Sequence, residues 1–311
     1  MLLKLVPEDT KIRFLRYRKI ALVVSLILMV ASAGLFFARG LNLGIDFAGG
    51  IMLHIGHEQA IDIGDVRSAL LDLKLGDISV QEFGQPEEAL IRIEGQGSVE
   101  ADKIAKTSAK AALEGILGEV DYLREEAVGA KVSGELVING ILAVVFAVMA
   151  VLVYIWFRFE WHFGVGAVVA LIHDVVLTIG LFALTRLEFN LSIIAAILTI
   201  VGYSLNDTVV VYDRIRENLR KFRKMEMTDL LDLSINQTLS RTVMTSLTTL
   251  IALFSLFIFG GEVIRGFTAA MIWGVFVGTY SSVYIASPIL IYLKLERTDM
   301  SLEGTGGGAP S

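Results

Sequence analysis

Cysteine is absent from this chain of 311 residues, histidine and proline each occur four times, and charged residues make up only 19%. The first absence excludes a disulfide scaffold, a thiol nucleophile and the cysteine-based zinc motifs. The histidines offer no substitute: His54 and His57 stand three apart, but no further ligands lie near them, so no metal site is expected. Also missing are the G-x-x-x-x-G-K-[ST] phosphate loop, the H-E-x-x-H zinc helix and the G-x-S-x-G nucleophile elbow. The Gly49-Gly50 pair is not followed by a helix start, which makes it a poor nucleotide cradle. ATP is therefore not this chain's own fuel, no cofactor is expected, and the chain does not read as an enzyme. The shortage of charge is as informative, since an ordinary soluble domain carries about 25% charged residues. Apolar residues reach 54%, which puts the chain in a membrane.

Six apolar runs are long enough to cross roughly 30 Å of hydrocarbon. They occupy residues 20–38, 136–157, 163–185, 191–212, 242–259 and 266–293. The first follows basic residues, as a secretory signal would, but it is longer than a signal core and reads as an uncleaved anchor. The last is over-long and is expected to tilt or bend at Pro288, because proline removes a helical hydrogen bond. Lysine and arginine counts set the orientation. Six precede the first run (Lys4, Lys11, Arg13, Arg16, Arg18, Lys19), Arg158 follows the second, seven lie in 214–241, and Lys294 and Arg297 follow the sixth. The short loops opposite hold only Arg186 and Arg265, so both termini are expected in the cytoplasm. Tyr17, Tyr154, Trp156, Trp161 and Tyr292 fall near run ends, as interfacial aromatics do. The basic run Arg220, Lys221, Arg223 and Lys224 can attract anionic lipid or simply enforce this topology. The expected organisation is a cytoplasmic start (1–19), a first span (20–38), an extracytoplasmic domain (39–135), a bundle of five further spans (136–295) and a disordered cytoplasmic tail (296–311), Gly-rich over 304–311.

The outer segment 39–135 carries 18 acidic and 9 basic residues, which argues against a nucleic-acid partner. Its pattern alternates strands and helices. Residues 47–55 are strand-like, and Asp62 caps a helix running to about Leu73 with Val66, Ala69, Leu70 and Leu73 on one face. Strands at Ile78–Phe83 and 89–93 flank a Gly-Gln-Pro turn. Ser98 caps a second helix that buries Ala101, Ile104, Ala105, Ala112 and Leu113, and Asp121–Val128 is the last strand. The order β-α-β-β-α-β predicts a small ferredoxin-like α+β domain beside an all-α membrane bundle of six transmembrane helices.

An ionisable side chain at the centre of a membrane helix costs about 2.5–3.5 kcal/mol on insertion scales, so each needs a reason. The third span carries His173-Asp174 and the fourth Asn206-Asp207; Arg241 stands at the cytoplasmic start of the fifth. Tyr203, Asp207, Val210 and Arg214 share one helical face, and Asp174 shares its face with Ala170 and Thr178. The fifth span presents Arg241, Thr245, Thr248, Ala252 and Ser255 as a polar, small-residue stripe. Facing one another, the three stripes are expected to form a hydrated seam. Two readings of it stand: a proton or cation relay in which Asp207 is alternately charged and neutral, or a permanent Asp207–Arg241 ion pair that holds the helices in register. His173 can equally serve as a hydrogen-bonding helix contact. Asp213, Arg214, Arg216 and Glu217 read as a solvated helix end. In the sixth span Ala270, Gly274, Gly278, Ser282 and Ala286 make a close-packing face, with its neighbour in this chain or another left open.

Leu43-Gly44-Ile45-Asp46-Phe47-Ala48-Gly49-Gly50, just outside the first span, resembles the motif that opens the outer domain in the SecD/SecF family of protein-export membrane proteins. The stretch 202–218, GYSLNDTVVVYDRIREN, closely resembles a fourth-span signature of that family. The ALIHD stretch at 170–174, Arg241-Thr242 with Thr245-Ser246, and Val128-Gly129-Ala130 with Glu135-Leu136 fit the same pattern, and the resemblance covers about residues 20–295. It implies half of a twelve-span transporter of the RND superfamily in the plasma (cell inner) membrane. The implied partners are a SecD-like chain, YajC, the SecYEG channel and a preprotein that is drawn outward by the proton-motive force. Asp207 and Arg241 match the family's proton-pathway aspartate and arginine, with Asn206, Asp174 and His173 beside them. Asp46, Gly49 and Gly50 match the outer-domain motif, where the glycines permit a turn with close backbone approach. The alternative is a free-standing, proton-driven exporter of lipids or small amphiphiles acting as a homodimer.

Overall fold

The structure, a computed structural model, describes residues 10–293. Lys4, Lys294, Arg297 and the tail 296–311 lie outside the described residues. Six helices among the described residues are long and apolar enough to cross a membrane: Phe14–Arg39, Ala130–Arg158, Trp161–Thr185, Leu191–Lys221, Met227–Phe259 and Val263–Tyr292. Their α-helical parts are α1 (Arg18–Arg39), α5 (Ala130–Arg158), α6 (Trp161–Thr185), α7 (Leu191–Lys221), α8 (Met227–Phe259) and α9 (Glu262–Ser281). The last span continues from α9 through a π-helical turn, Ser282–Ala286, into α10 (Ser287–Tyr292). Pro288 is the physical cause: its ring crowds the carbonyl four residues back, and a widened turn relieves the clash. Bonds to the turn come from Ser287 Oγ, which donates to the Ser282 carbonyl at 2.9 Å, and from Tyr212 Oη, which donates to that of Ala286 at 3.1 Å. The expected bend is thus taken up as a change of helical register.

The fourth and fifth spans run well past their apolar stretches. α7 continues nine residues beyond Tyr212, and α8 begins fifteen residues before Thr242. These extensions are amphipathic and pack on one another, with Ile215, Leu219, Leu230, Leu231 and Ile235 buried in the cluster around Tyr212 and Phe163. The solvated helix end is partly engaged: Arg158 donates to Asp213 at 2.8 Å, and Arg216 to the Arg158 carbonyl at 3.1 Å. The small-residue face of the sixth span finds its neighbour inside the chain. Ala270 is fully buried, a Cβ on Gly274 would collide with Ile200, and one on Gly278 would come within 3.0 Å of Ser204, so α9 lies along α7 at close range.

Between α1 and α5 the chain builds a four-stranded antiparallel sheet. Its strands are β2 (Gly50–Gly56), β3 (Ile78–Phe83), β4 (Gln85–Ile93) and β5 (Asp121–Val128), in spatial order β3-β4-β2-β5. Two helices, α3 (Ile63–Leu71) and α4 (Val99–Leu117), cover one face and give the ferredoxin-like βαββαβ arrangement. Both helices start as the caps require. Asp62 accepts from the amides of Gly64 (2.7 Å) and Asp65 (3.2 Å), and Ser98 from that of Ala101 at 3.2 Å. Ile51, Leu53, Ile55, Val80, Ile91 and Ile93 point from the sheet to Val66, Leu70, Ala105, Ala109 and Leu113 on the helices. Ile104 is a correction: it is 67% exposed, and Ala109, one turn after the buried Ala105, takes the core position instead. A second correction concerns residues 47–55, where a helical turn, α2 (Ile45–Ala48), precedes the strand. The other sheet face sits over the bundle. There β1 (Asn42–Leu43) pairs in parallel with β6 (Glu188–Phe189), and Arg92 of β4 forms an ion pair with Glu188.

Candidate functional site

Asp207 lies on the buried side of α7 with 8% of its surface exposed. Its carboxylate is held by hydroxyls. Thr242 of α8 donates to Oδ1 at 2.5 Å, and Ser282, the first residue of the π-turn, donates to Oδ2 at 2.6 Å. One turn away on α7, Ser204 donates at 2.6 Å to Oδ2 of Asp174 on α6, and Ser281 donates to the same oxygen at 2.8 Å. The remaining oxygen, Asp174 Oδ1, is 2.9 Å from His173 Nδ1. His173 Nε2 is buried without a hydrogen-bond partner, and the ring stacks on Tyr280 at 6.0 Å. Two buried carboxylates on two helices are therefore gathered onto two consecutive serines of a third.

The serines have a choice. A hydroxyl carries one proton, yet Ser282 Oγ also lies 3.0 Å from the Thr279 carbonyl and Ser281 Oγ 3.1 Å from that of Gly278. Each can donate to a carboxylate or fall back on its own helix, so the network can rearrange without leaving a donor unmade. Further out, Tyr203 Oη donates to Ser246 Oγ at 3.3 Å, and Ser246 bonds the Thr279 hydroxyl at 2.8 Å.

Arg241 and Asn206 depart from the expected seam. Both are exposed, and among the described residues no ion pair joins Arg241 to Asp207. Thr245, Thr248, Ala252 and Ser255 are exposed with Arg241, so the stripe expected to face inward points out of the bundle. The reason is rotational: α8 carries two polar stripes about one residue apart, and the inward one is Thr242 with Ser246. The outward hydroxyls satisfy themselves. Thr245, Thr248 and Ser255 donate to the carbonyls of Arg241, Met244 and Ile251 at 3.0, 2.9 and 2.9 Å. Ser204, Thr242, Ser281 and Ser282 complete the site, and the sequence pattern alone does not assign them to it. Ser204 and Thr242 stand within the GYSLND and Arg241-Thr242 stretches, and Ser281-Ser282 are adjacent serines shortly before the proline of the last span.

Of the outer motif, Asp46 Oδ2 accepts from the backbone amide of Leu191 at 2.8 Å. Gly49 (φ 74°) and Gly50 (φ 105°) both occupy the left-handed region, and a Cβ on Gly50 would strike the Ile93 carbonyl.

The family model for the protein export membrane protein SecD/SecF, C-terminal, matches residues 108–296, and that of the SecD/SecF GG motif matches residues 34–53. Protein translocase subunit SecF of Rhodobacter capsulatus is 47% identical over 308 residues, covering 95% of this chain and 92% of its own. The subunit of the same name from Cereibacter sphaeroides is 48% identical over 304 residues, covering 95% and 93%. Among solved structures, the crystal structure of SecDF, a translocon-associated membrane protein from Thermus thermophilus, aligns with a TM-score of 0.85 at 36% identity. The alignment covers 94% of this chain and 40% of the SecDF chain, so the present chain spans about two fifths of that protein.

Proposed function

This chain belongs to the SecD/SecF family of protein-export membrane proteins, as a translocase subunit of the SecF type, and from that premise we propose that it couples the proton-motive force to preprotein export. In this reading it joins a SecD-like chain to complete a twelve-span unit that works on preproteins delivered through a SecYEG channel, with YajC in attendance. Its termini face the cytoplasm and residues 39–135 lie outside the plasma membrane. Asp207 takes up and releases the proton, and Asp174 with His173 forms the neighbouring station. Asn206 and Arg241 line the path from the side where the partner chain packs.

One observation carries the reading: the Asp207 carboxylate is buried in a membrane helix and held by two neutral hydroxyls, and among the described residues no ion pair reaches it. A structural ion pair needs its cation at hand, whereas a carboxylate that must change charge is served by donors that can turn away. The exposed stripe of Arg241 with Asn206 supports the partner, since an arginine at a lipid-facing position is costly unless protein or water covers it. Moving one charge through 100 mV is worth about 2.3 kcal/mol, enough to bias a two-state movement of the bundle.

The test is late-stage preprotein export in membrane vesicles, with this chain present or depleted and a proton gradient imposed or collapsed. The reading requires stimulation by the gradient only when the chain is present, and recovery of a second six-span chain with it from native membranes. Equal stimulation in depleted vesicles would overturn it.

A further inference from the structure

Residues 43–50 form the joint between the outer domain and α7, the helix that carries Asp207. Leu43 pairs with Phe189 in the β1–β6 ladder, and the Gly44 amide donates to the Phe189 carbonyl at 2.9 Å. A Cβ on Gly44 would meet the Glu188 carboxylate and the Asn190 Cβ, so the two segments lie close together here. Asp46 then reaches across the start of α7 and accepts the amide of Leu191, its first residue, at 2.8 Å.

Asn190 occupies the capping position of α7 but makes no side-chain capping bond; its amide oxygen is taken instead by Ser192 Oγ at 2.6 Å. The cap therefore comes from 145 residues away in sequence. Phe47, next to Asp46, packs its ring on Phe189 at 5.9 Å. On its other side the motif runs through Gly49 and Gly50 straight into β2, an inner strand of the sheet. Leu191 and Asp207 lie on one unbroken helix, roughly 24 Å apart at the α-helical rise. A helix is stiff along its axis, so a shift at Asp207 arrives at Leu191.

We propose that Asp46 is the positioning residue that transmits movement of α7 to the outer domain, its carboxylate clamping the first amide of the Asp207 helix to the base of β2. The inference rests on the proton-driven reading above and adds to it where the movement leaves the membrane.

The experiment uses the full chain in its native complex, in vesicles, with two readouts: gradient-driven proton movement and gradient-stimulated preprotein export. Complex recovery is followed alongside. For Asp46→Ala the expected result is that proton movement persists while the export increment falls about tenfold, within the usual range of a coupling between sites. Asp46→Asn keeps an acceptor oxygen for the Leu191 amide and is expected to restore most of the increment. An undiminished increment in Asp46→Ala overturns the proposal. So does failure of both variants to assemble, or a parallel fall of both readouts, because Asp46 is then only a structural cap. Wild-type vesicles without any gradient-driven proton movement would overturn the transport reading itself, and this inference with it.

Discussion

Replacing Ser282 by alanine removes one of the two hydroxyls that hold the Asp207 carboxylate and leaves Thr242 alone. Ser282 is fully buried, and among the described residues no ion pair to Asp207 compensates for its loss. A hydrogen bond to a charged group is worth about 1.5–3 kcal/mol net. At 1.4 kcal/mol per factor of ten, that loss changes the equilibrium between the held and released carboxylate roughly 10- to 150-fold. The gradient-stimulated part of export should therefore fall by about tenfold or more. Ser282→Thr keeps the hydroxyl and should retain most of it. The assay is the initial rate of late-stage export in vesicles at several imposed gradients, with complex recovery measured in parallel. A Ser282→Ala chain that assembles and responds to the gradient within about a factor of two of wild type would refute the claim that this hydroxyl serves the carboxylate.

Two further outcomes follow from the βαββαβ domain. Hydrogen bonds from Lys106 (2.5 Å) and Lys110 (2.7 Å) hold the Glu125 carboxyl below its ordinary value of 4.5, so its stabilising contribution is present above that pH and is lost as pH falls through the depressed value. Amide protection factors in α4 and β5, corrected for the intrinsic pH dependence of exchange, should fall on acidification below about 4.5, and Glu125→Gln should flatten that dependence; identical pH profiles would contradict the linkage. Gly50→Ala must hold a side chain at a φ of 105° against the Ile93 carbonyl. The left-handed conformation alone costs about 1–2 kcal/mol, so faster exchange across β2 and β4 is expected, and unchanged exchange would count against the strain.

Six helices long and apolar enough to cross a membrane follow directly from the apolar runs of the sequence. The runs do not mark where helices end. The parts of α7 and α8 beyond the apolar stretches are amphipathic and stabilised by Ile215, Leu219, Leu230 and Leu231 against one another, which hydropathy does not register. Between α1 and α5 the caps Asp62 and Ser98 and the alternation of Ile51, Leu53 and Ile55 announce the βαββαβ order. The single turn α2 was hidden because Ile45 and Phe47 fit a strand pattern equally well. Asp207 and Asp174 were legible because a carboxylate among apolar neighbours stands out. Their partners were not, since Ser204, Ser281 and Ser282 look like ordinary small packing residues. The rotation of α8 was undetermined for a different reason. Thr242 with Ser246, and Arg241 with Thr245, are stripes offset by one residue, and only packing against α7 and α9 selects between them.

Asp207→Asn preserves the shape of the side chain and an oxygen for the hydroxyls of Thr242 or Ser282, but it cannot exchange a proton. The most direct test of the account is late-stage preprotein export by vesicles carrying this variant, with and without an imposed proton gradient. The account predicts an assembled complex whose export no longer responds to the gradient. Stimulation persisting at the wild-type level in Asp207→Asn would contradict it.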